Sequence, residues 1–153
     1  LAHHGAALAF CPSSNLFLGS GLFDLARAER LRLKVGIGSD IGAGTSFSLL
    51  RTLGEAYKVE QLQGRSLDPF KALYLATLGG ARALGLDGRV GSLAPGHEAD
   101  FVLLDPQATP LLRFRLEECT ELAERLAVLL TLGDDRVVQE TFIAGVSRHR
   151  RDG

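Results

Sequence analysis

Lys34-Val35-Gly36-Ile37-Gly38-Ser39-Asp40-Ile41-Gly42-Ala43-Gly44 is a short apolar run that ends on a carboxylate and breaks into glycines. Val35 and Ile37 suit a buried strand, and Gly36 and Gly38 leave room beside it. Asp40 falls where that strand should stop. A carboxylate at the C-terminal end of a parallel strand, followed by a loop rather than a hairpin, is where α/β barrels keep catalytic groups. Aspartate is both a hard oxygen ligand and a proton acceptor, so one residue can hold a metal and move a proton. The structural alternative is a cap for the helix expected from about Ser46. Asp40 is too far from that helix to cap it, and Thr45 or Ser46 can do so.

A second segment, Ala6-Ala7-Leu8-Ala9-Phe10-Cys11-Pro12-Ser13-Ser14-Asn15, has the same form. Its apolar strand should end at or before Pro12, which cannot donate to a sheet ladder. Residues 22–32 read as a helix, with apolar Leu22, Leu25, Ala26 and Ala28 among Arg27, Glu29 and Arg30. Strand, helix and strand make one parallel crossover unit. The loops at 12–21 and 41–45 then leave the same C-terminal edge of one sheet.

Further along, Leu49, Leu50, Leu53, Ala56, Tyr57 and Leu62 recur at helical spacing over 46–63, and Gly64 is a stop. Asp68 is an N-cap before Pro69, opening a helix to about residue 84. Gly79-Gly80 inside it costs roughly 1 kcal/mol per glycine relative to alanine, which points to close packing or to a break. Residues 85–96 are turn-rich, 99–105 form a strand, and 117–132 form an amphipathic helix. Residues 137–148 contain a strand bent at Gly145. Organisation therefore changes beyond Gly85, from helices alternating with strands to isolated strands around one helix. No internal repeat or low-complexity segment is visible.

Hydrophobic residues make up 46% of the chain and charged residues 23%, ordinary for a soluble globular protein. A net charge of −1 gives no basic surface for nucleic acid. No apolar run reaches the roughly 18 residues of a membrane span, and the start does not read as a signal peptide. Cys11 and Cys119, the two cysteines, suit free thiols in a reducing compartment, with cytoplasm the default.

Several patterns fail. Gly36-Ile37-Gly38 begins a dinucleotide fingerprint, but Ile41 stands where its third glycine belongs, and the loop at 38–45 lacks the lysine of a phosphate loop. His3 and His4 are adjacent, so they cannot ligate from one helical face. His97 in a turn and His149 in a basic tail read as surface residues. Asp134-Asp135 could bind a cation, but a helix-to-strand turn suits the pair better. Ser13 and Ser14 have no base nearby in sequence. Cys11, inside a strand and before proline, is expected to be buried rather than nucleophilic.

Phe10-Cys11-Pro12-Ser13-Ser14-Asn15 followed by Gly36-Ile37-Gly38-Ser39-Asp40 resembles the paired late-strand motifs of the metal-dependent amidohydrolase superfamily. Within it, the text is similar to the guanine deaminase family. That likeness continues through Asn15-Leu16-Phe17-Leu18-Gly19-Ser20-Gly21, Gly42-Ala43-Gly44-Thr45-Ser46-Phe47-Ser48 and Ala76-Thr77-Leu78-Gly79-Gly80-Ala81. It extends to Pro95-Gly96-His97-Glu98-Ala99-Asp100-Phe101, common to many amidohydrolases, and to Thr131-Leu132-Gly133-Asp134-Asp135-Arg136, which points to the narrower group.

The resemblance implies an α/β fold, the C-terminal part of a distorted (β/α)8 TIM-type barrel with part of a small β-rich domain. Residues 1–87 would be the barrel portion and 88–153 the β-rich segment with one helix. A barrel usually takes about 250 residues and 153 are present. The opening Leu1-Ala2-His3-His4-Gly5 also reads as a helix tail capped by Gly5. The expectation is therefore a C-terminal fragment, inactive alone. The implied chemistry is zinc-dependent hydrolysis of guanine, a small purine substrate, to xanthine and ammonia. Asp40 matches the late-strand aspartate that ligates the metal and takes a proton from the attacking water. It is at once the catalytic, substrate-contacting and metal candidate. The remaining ligands are expected upstream, and homodimerisation, common in the family, is marked by no residue here. Many relatives have histidine at Phe10, close to the metal-bound water. Either this subgroup does without that contact or the full-length enzyme is weaker or altered in substrate; the apolar strand around Phe10 favours the first. Two alternatives stand beside this reading: another purine or triazine deaminase or chlorohydrolase, and a binding or structural piece without activity.

Overall fold

Two separate sheets organise the chain in a computed structural model that describes residues 4–152. In the first, β1 (Ala7–Phe10) and β2 (Lys34–Ile37) pair in parallel, Ala7 opposite Lys34 and Phe10 opposite Ile37. The crossover between them carries two helices. The expected loop at 12–21 is largely α1 (Pro12–Leu18). Pro12 has no N–H to offer the sheet, but its fixed φ suits the first turn of a helix, so the residue that ends the strand also starts α1. Then comes α2 (Leu25–Arg30), capped where the Asp24 carboxylate accepts from the Arg27 N–H at 3.0 Å.

Beyond β2, α3 (Leu49–Leu62) follows the expected span and starts from Ser48. The single helix expected over 69–84 is two, α4 (Pro69–Ala76) and α5 (Leu78–Leu84), broken at Thr77. The Thr77 hydroxyl donates to the Leu73 carbonyl at 2.8 Å, closing the end of α4. Close packing occurs as well. A Cβ at Gly36 would lie 2.9 Å from the Cα of Gly80, so α5 rests directly on the β2 backbone. One core unites these elements through Phe10, Leu25, Val35, Leu53, Val59 and Leu75. Phe10 is fully buried, and its ring stacks on Phe23 with centroids 4.7 Å apart.

The second sheet is antiparallel in the order β3 (Phe101–Leu104), β4 (Val138–Ile143), β5 (Val146–Arg150). The expected bent strand is a hairpin: Ala144 and Gly145 both take positive φ, 50° and 74°, and turn the chain in two residues. His149 lies exposed on β5 opposite Thr141, not in a tail. Between β3 and β4 run α6 (Pro110–Glu117) and α7 (Leu122–Leu132). α6 was not anticipated, because exposed Leu111 and Phe114 blur the buried Leu112–Leu116 pair that marks its inner face. α7 starts later than expected because Glu121 and Glu124 form a reciprocal capping box. The readings of His3 and of the opening helix tail fall largely outside the described residues. His4 is exposed.

Candidate active site

The β1–β2 ladder runs one step past its last strand pair, the Gly38 N–H donating to the Phe10 carbonyl at 3.0 Å. This brings Cys11, just after β1, alongside residues 38–40, just after β2. Asp40 is exposed and holds a left-handed φ of 48°. Aspartate tolerates that region better than most residues, and such conformations concentrate at functional sites. The Asp40 carbonyl accepts from Ala43 N–H at 3.2 Å and Gly44 N–H at 2.6 Å. Only glycine fits at 44, where any Cβ would overlap the Ser39 carbonyl oxygen. The turn therefore fixes the Asp40 backbone while leaving its carboxylate in solvent.

Cys11 occupies the cap position of α1 rather than the interior of β1, and it is half-buried. Burial first, and the nearby Asp40 charge second, push its thiol pKa up. A protonated thiol is a poor nucleophile, so the geometry sides against covalent catalysis there. Ser13 and Ser14 are buried, and the Ser14 hydroxyl donates to the Cys11 carbonyl at 3.1 Å. Both serines belong to the framework of the loop.

Among the described residues, no group of three or more histidines, cysteines, aspartates or glutamates could hold a metal ion. A catalytic zinc takes three protein ligands. Asp40 offers one hard oxygen donor and does not close such a site by itself. The other candidates lie elsewhere: His97 Nδ1 is 3.1 Å from Ser92 Oγ, and His149 is on the second sheet. Asp134 is a turn residue. Its side chain accepts from the Arg136 N–H at 3.0 Å and from Arg136 Nη2 at 2.8 Å, with Arg51 Nη2 3.5 Å away. These bonds, Arg136 foremost, hold its pKa at about 2.

Sequence reasoning missed the residues that brace this end of the fold. Buried Glu60 accepts from Arg65 Nε at 2.9 Å, and Arg65 Nη2 reaches Asp24 at 3.3 Å. Gln63 Nε2 donates to the Phe23 carbonyl at 2.9 Å, fixing the residue whose ring covers Phe10. The spacing of Asp24 and Arg27 is a legible cap. Glu60 and Arg65 pair across the end of α3, off the helical i+3 and i+4 spacings, whereas Arg65 to Asp24 and Arg51 to Asp134 cross long stretches of chain; none leaves a local pattern.

The amidohydrolase family model matches residues 1–147. Guanine deaminase of Escherichia coli K12 is 54% identical over 145 residues, which are 95% of this chain and 33% of that protein. The chain thus spans about a third of the length of the curated relatives it matches. The solved E. coli guanine deaminase superposes with a TM-score of 0.97 at 52% identity, covering 99% of this chain and 36% of the other. Guanine deaminase from C. acetobutylicum, solved with guanine in its active site, gives 0.80 at 27% identity, covering 95% and 34%. An adenosine deaminase from Xanthomonas campestris with bound zinc gives 0.79 at 30%, covering 95% and 32%. These are amidohydrolase TIM-type barrels, and the chain carries the fold of about a third of one.

Proposed function

Because the chain belongs to the amidohydrolase family, we propose that it carries the late-strand aspartate of an enzyme that hydrolyses guanine to xanthine and ammonia. The observation that carries this reading is the placement of Asp40. It lies past the carboxyl end of a parallel strand, held by its own turn, in a chain 54% identical to a guanine deaminase. Residues 1–87 would be the barrel portion and 88–153 the β-rich portion; the presence of two unconnected sheets supports that division. Free Cys11 and Cys119 accord with a cytoplasmic enzyme.

Asp40 would give one oxygen ligand to a divalent metal, with zinc favoured by the zinc-bound structural relative. When bound, such a metal lowers the pKa of a coordinated water to about 7. The chain's own part is to hold and move a proton. The exposed Asp40 carboxylate can take the proton of the attacking water and pass it to the departing amine. Ser39 and the loop at 41–45 would shape that position, while Phe10, buried against Phe23, offers no polar side chain to it.

The test is turnover by the full-length protein that contains this chain. Stoichiometric ammonia and xanthine from guanine, with little turnover of adenine or a chlorotriazine, is the expected result. Preference for either of the other rings would overturn the guanine assignment.

A further inference from the structure

A cavity of about 360 Å³ opens at the amino end of β2, between α2, α4 and α5. β2 links it to the candidate active site, with Lys34 at this end and Asp40 past the other. By the rise per residue they are at most roughly 20 Å apart. Four cations line the cavity, Arg32, Lys34, Lys71 and Arg82, against one carboxylate, Glu29. Lys71 pairs with Glu29. Arg82 donates to the Tyr74 hydroxyl at 3.2 Å and lies 3.7 Å from Asp87. Lys71 Nζ and Arg82 Cζ also lie 5.2 Å and 5.8 Å from the centre of the Tyr74 ring. Arg32 and Lys34 have no ion-pair partner among the described residues.

Arg32 supplies a second, independent observation. Its φ is 54°, at the position after α2 where the chain closes with Arg32 N–H to the Glu29 carbonyl (2.8 Å) and Leu33 N–H to the Ala28 carbonyl (3.0 Å). Glycine takes that conformation without strain, whereas arginine does not. An arginine held on a strained backbone, lining the same concave surface as an uncompensated lysine, is an arrangement that can concentrate an anion. A phosphate group carries close to two negative charges near neutral pH, matching the two unpaired cations. Arginine can bind its oxygens in pairs, and lysine adds a point charge.

We propose that this cavity, at the opposite end of β2 from Asp40, is a binding site for a phosphate group, independent of the deaminase reading. Its volume exceeds that of phosphate alone and leaves space for an organic substituent.

Calorimetric titration of the full-length protein with inorganic phosphate and with a nucleoside 5′-monophosphate tests the proposal. Binding should weaken as sodium chloride is added. Arg32→Gly and Lys34→Gln should each reduce affinity at least about tenfold, while Asp40→Ala leaves it unchanged. Arg32→Gly removes the charge and relieves the backbone together, so lost binding with an unchanged melting temperature reports the side chain. Equal affinity for the two ligands supports recognition of the phosphate alone. Tighter binding of the nucleotide supports a site that also holds the substituent. Undiminished affinity in both variants, loss of binding in Asp40→Ala, or no binding of either ligand at millimolar concentration would overturn the proposal.

Discussion

At Asp40, a left-handed backbone angle and two N–H groups on its carbonyl leave the carboxylate exposed and its position fixed. That leaves the carboxylate free for the role proposed for it, with neither a cap nor a buried pair engaging it among the described residues. In the full-length protein, Asp40→Ala should lower guanine turnover by about 10²–10⁴-fold or more, the usual worth of a positioned acid–base group. Bound metal per chain should fall with it. Normal turnover with full metal content would remove Asp40 from the site. Phe10 is the contrasting case. It is 0% exposed and stacked on Phe23, so Phe10→Leu should act on packing and cost about 1–3 kcal/mol in denaturant unfolding. A large loss of turnover with unchanged stability would instead place its ring against substrate. Both residues were legible in the sequence, one as a strand-end carboxylate and the other as an apolar strand position. Phe23 was not, because a stacking partner across a crossover has no signature along the chain.

Among the elements, the segment joining α7 to β4 depends on one buried charge. Asp134 is 5% exposed and bound by Arg136 and Arg51, the latter from α3. With its pKa held at about 2, against 3.8 ordinarily, its contribution to stability is complete above about pH 4 and is lost as pH falls through 2. The exposed arginines weaken the pair by solvent screening, so Asp134→Asn should cost about 1–2 kcal/mol at pH 7. Urea unfolding at stepped pH should show the gap between variant and parent closing towards pH 2; a gap that is constant with pH would contradict this origin. Elements marked by caps or strong periodicity, such as α3 and the Asp68–Pro69 start of α4, could be read directly. The break at Thr77 could not, since Gly79-Gly80 signalled either a break or close packing and the molecule has both. The hairpin at Ala144 escaped notice because alanine is a poor resident of a left-handed turn, where Asn-Gly is the usual signal.

For the whole molecule, the chain holds a parallel pair with two open edges and, separately, a three-stranded sheet whose outer strand carries Arg148 and Arg150. Edge charge discourages strand addition at β5. The β1–β2 pair carries a single charge, Lys34 at the start of β2, and large apolar side chains nearby in sequence are open to solvent, Phe17 at 67% and Phe47 at 84%. Alone in solution, the 153-residue chain should bind less than one zinc per chain, release no ammonia from guanine, and self-associate. A monomer with one tight zinc and measurable turnover would refute this. The parallel crossover and the change of organisation beyond Gly85 were both visible in the sequence. The reach of Arg65 to Asp24 was not, because only folding brings those distant charges together. The two sheets also differ in when they can form. β4 and β5 are neighbours through a two-residue turn and can close in about 1–10 μs. β1 and β2 must first draw in the crossover at 11–33, a loop closure that slows their meeting. In pulse-labelled refolding, backbone amides of β4 and β5 should therefore gain protection before that of Gly38. The carboxylate at Asp40 takes up its station late, once the scaffold that will carry it has begun to set.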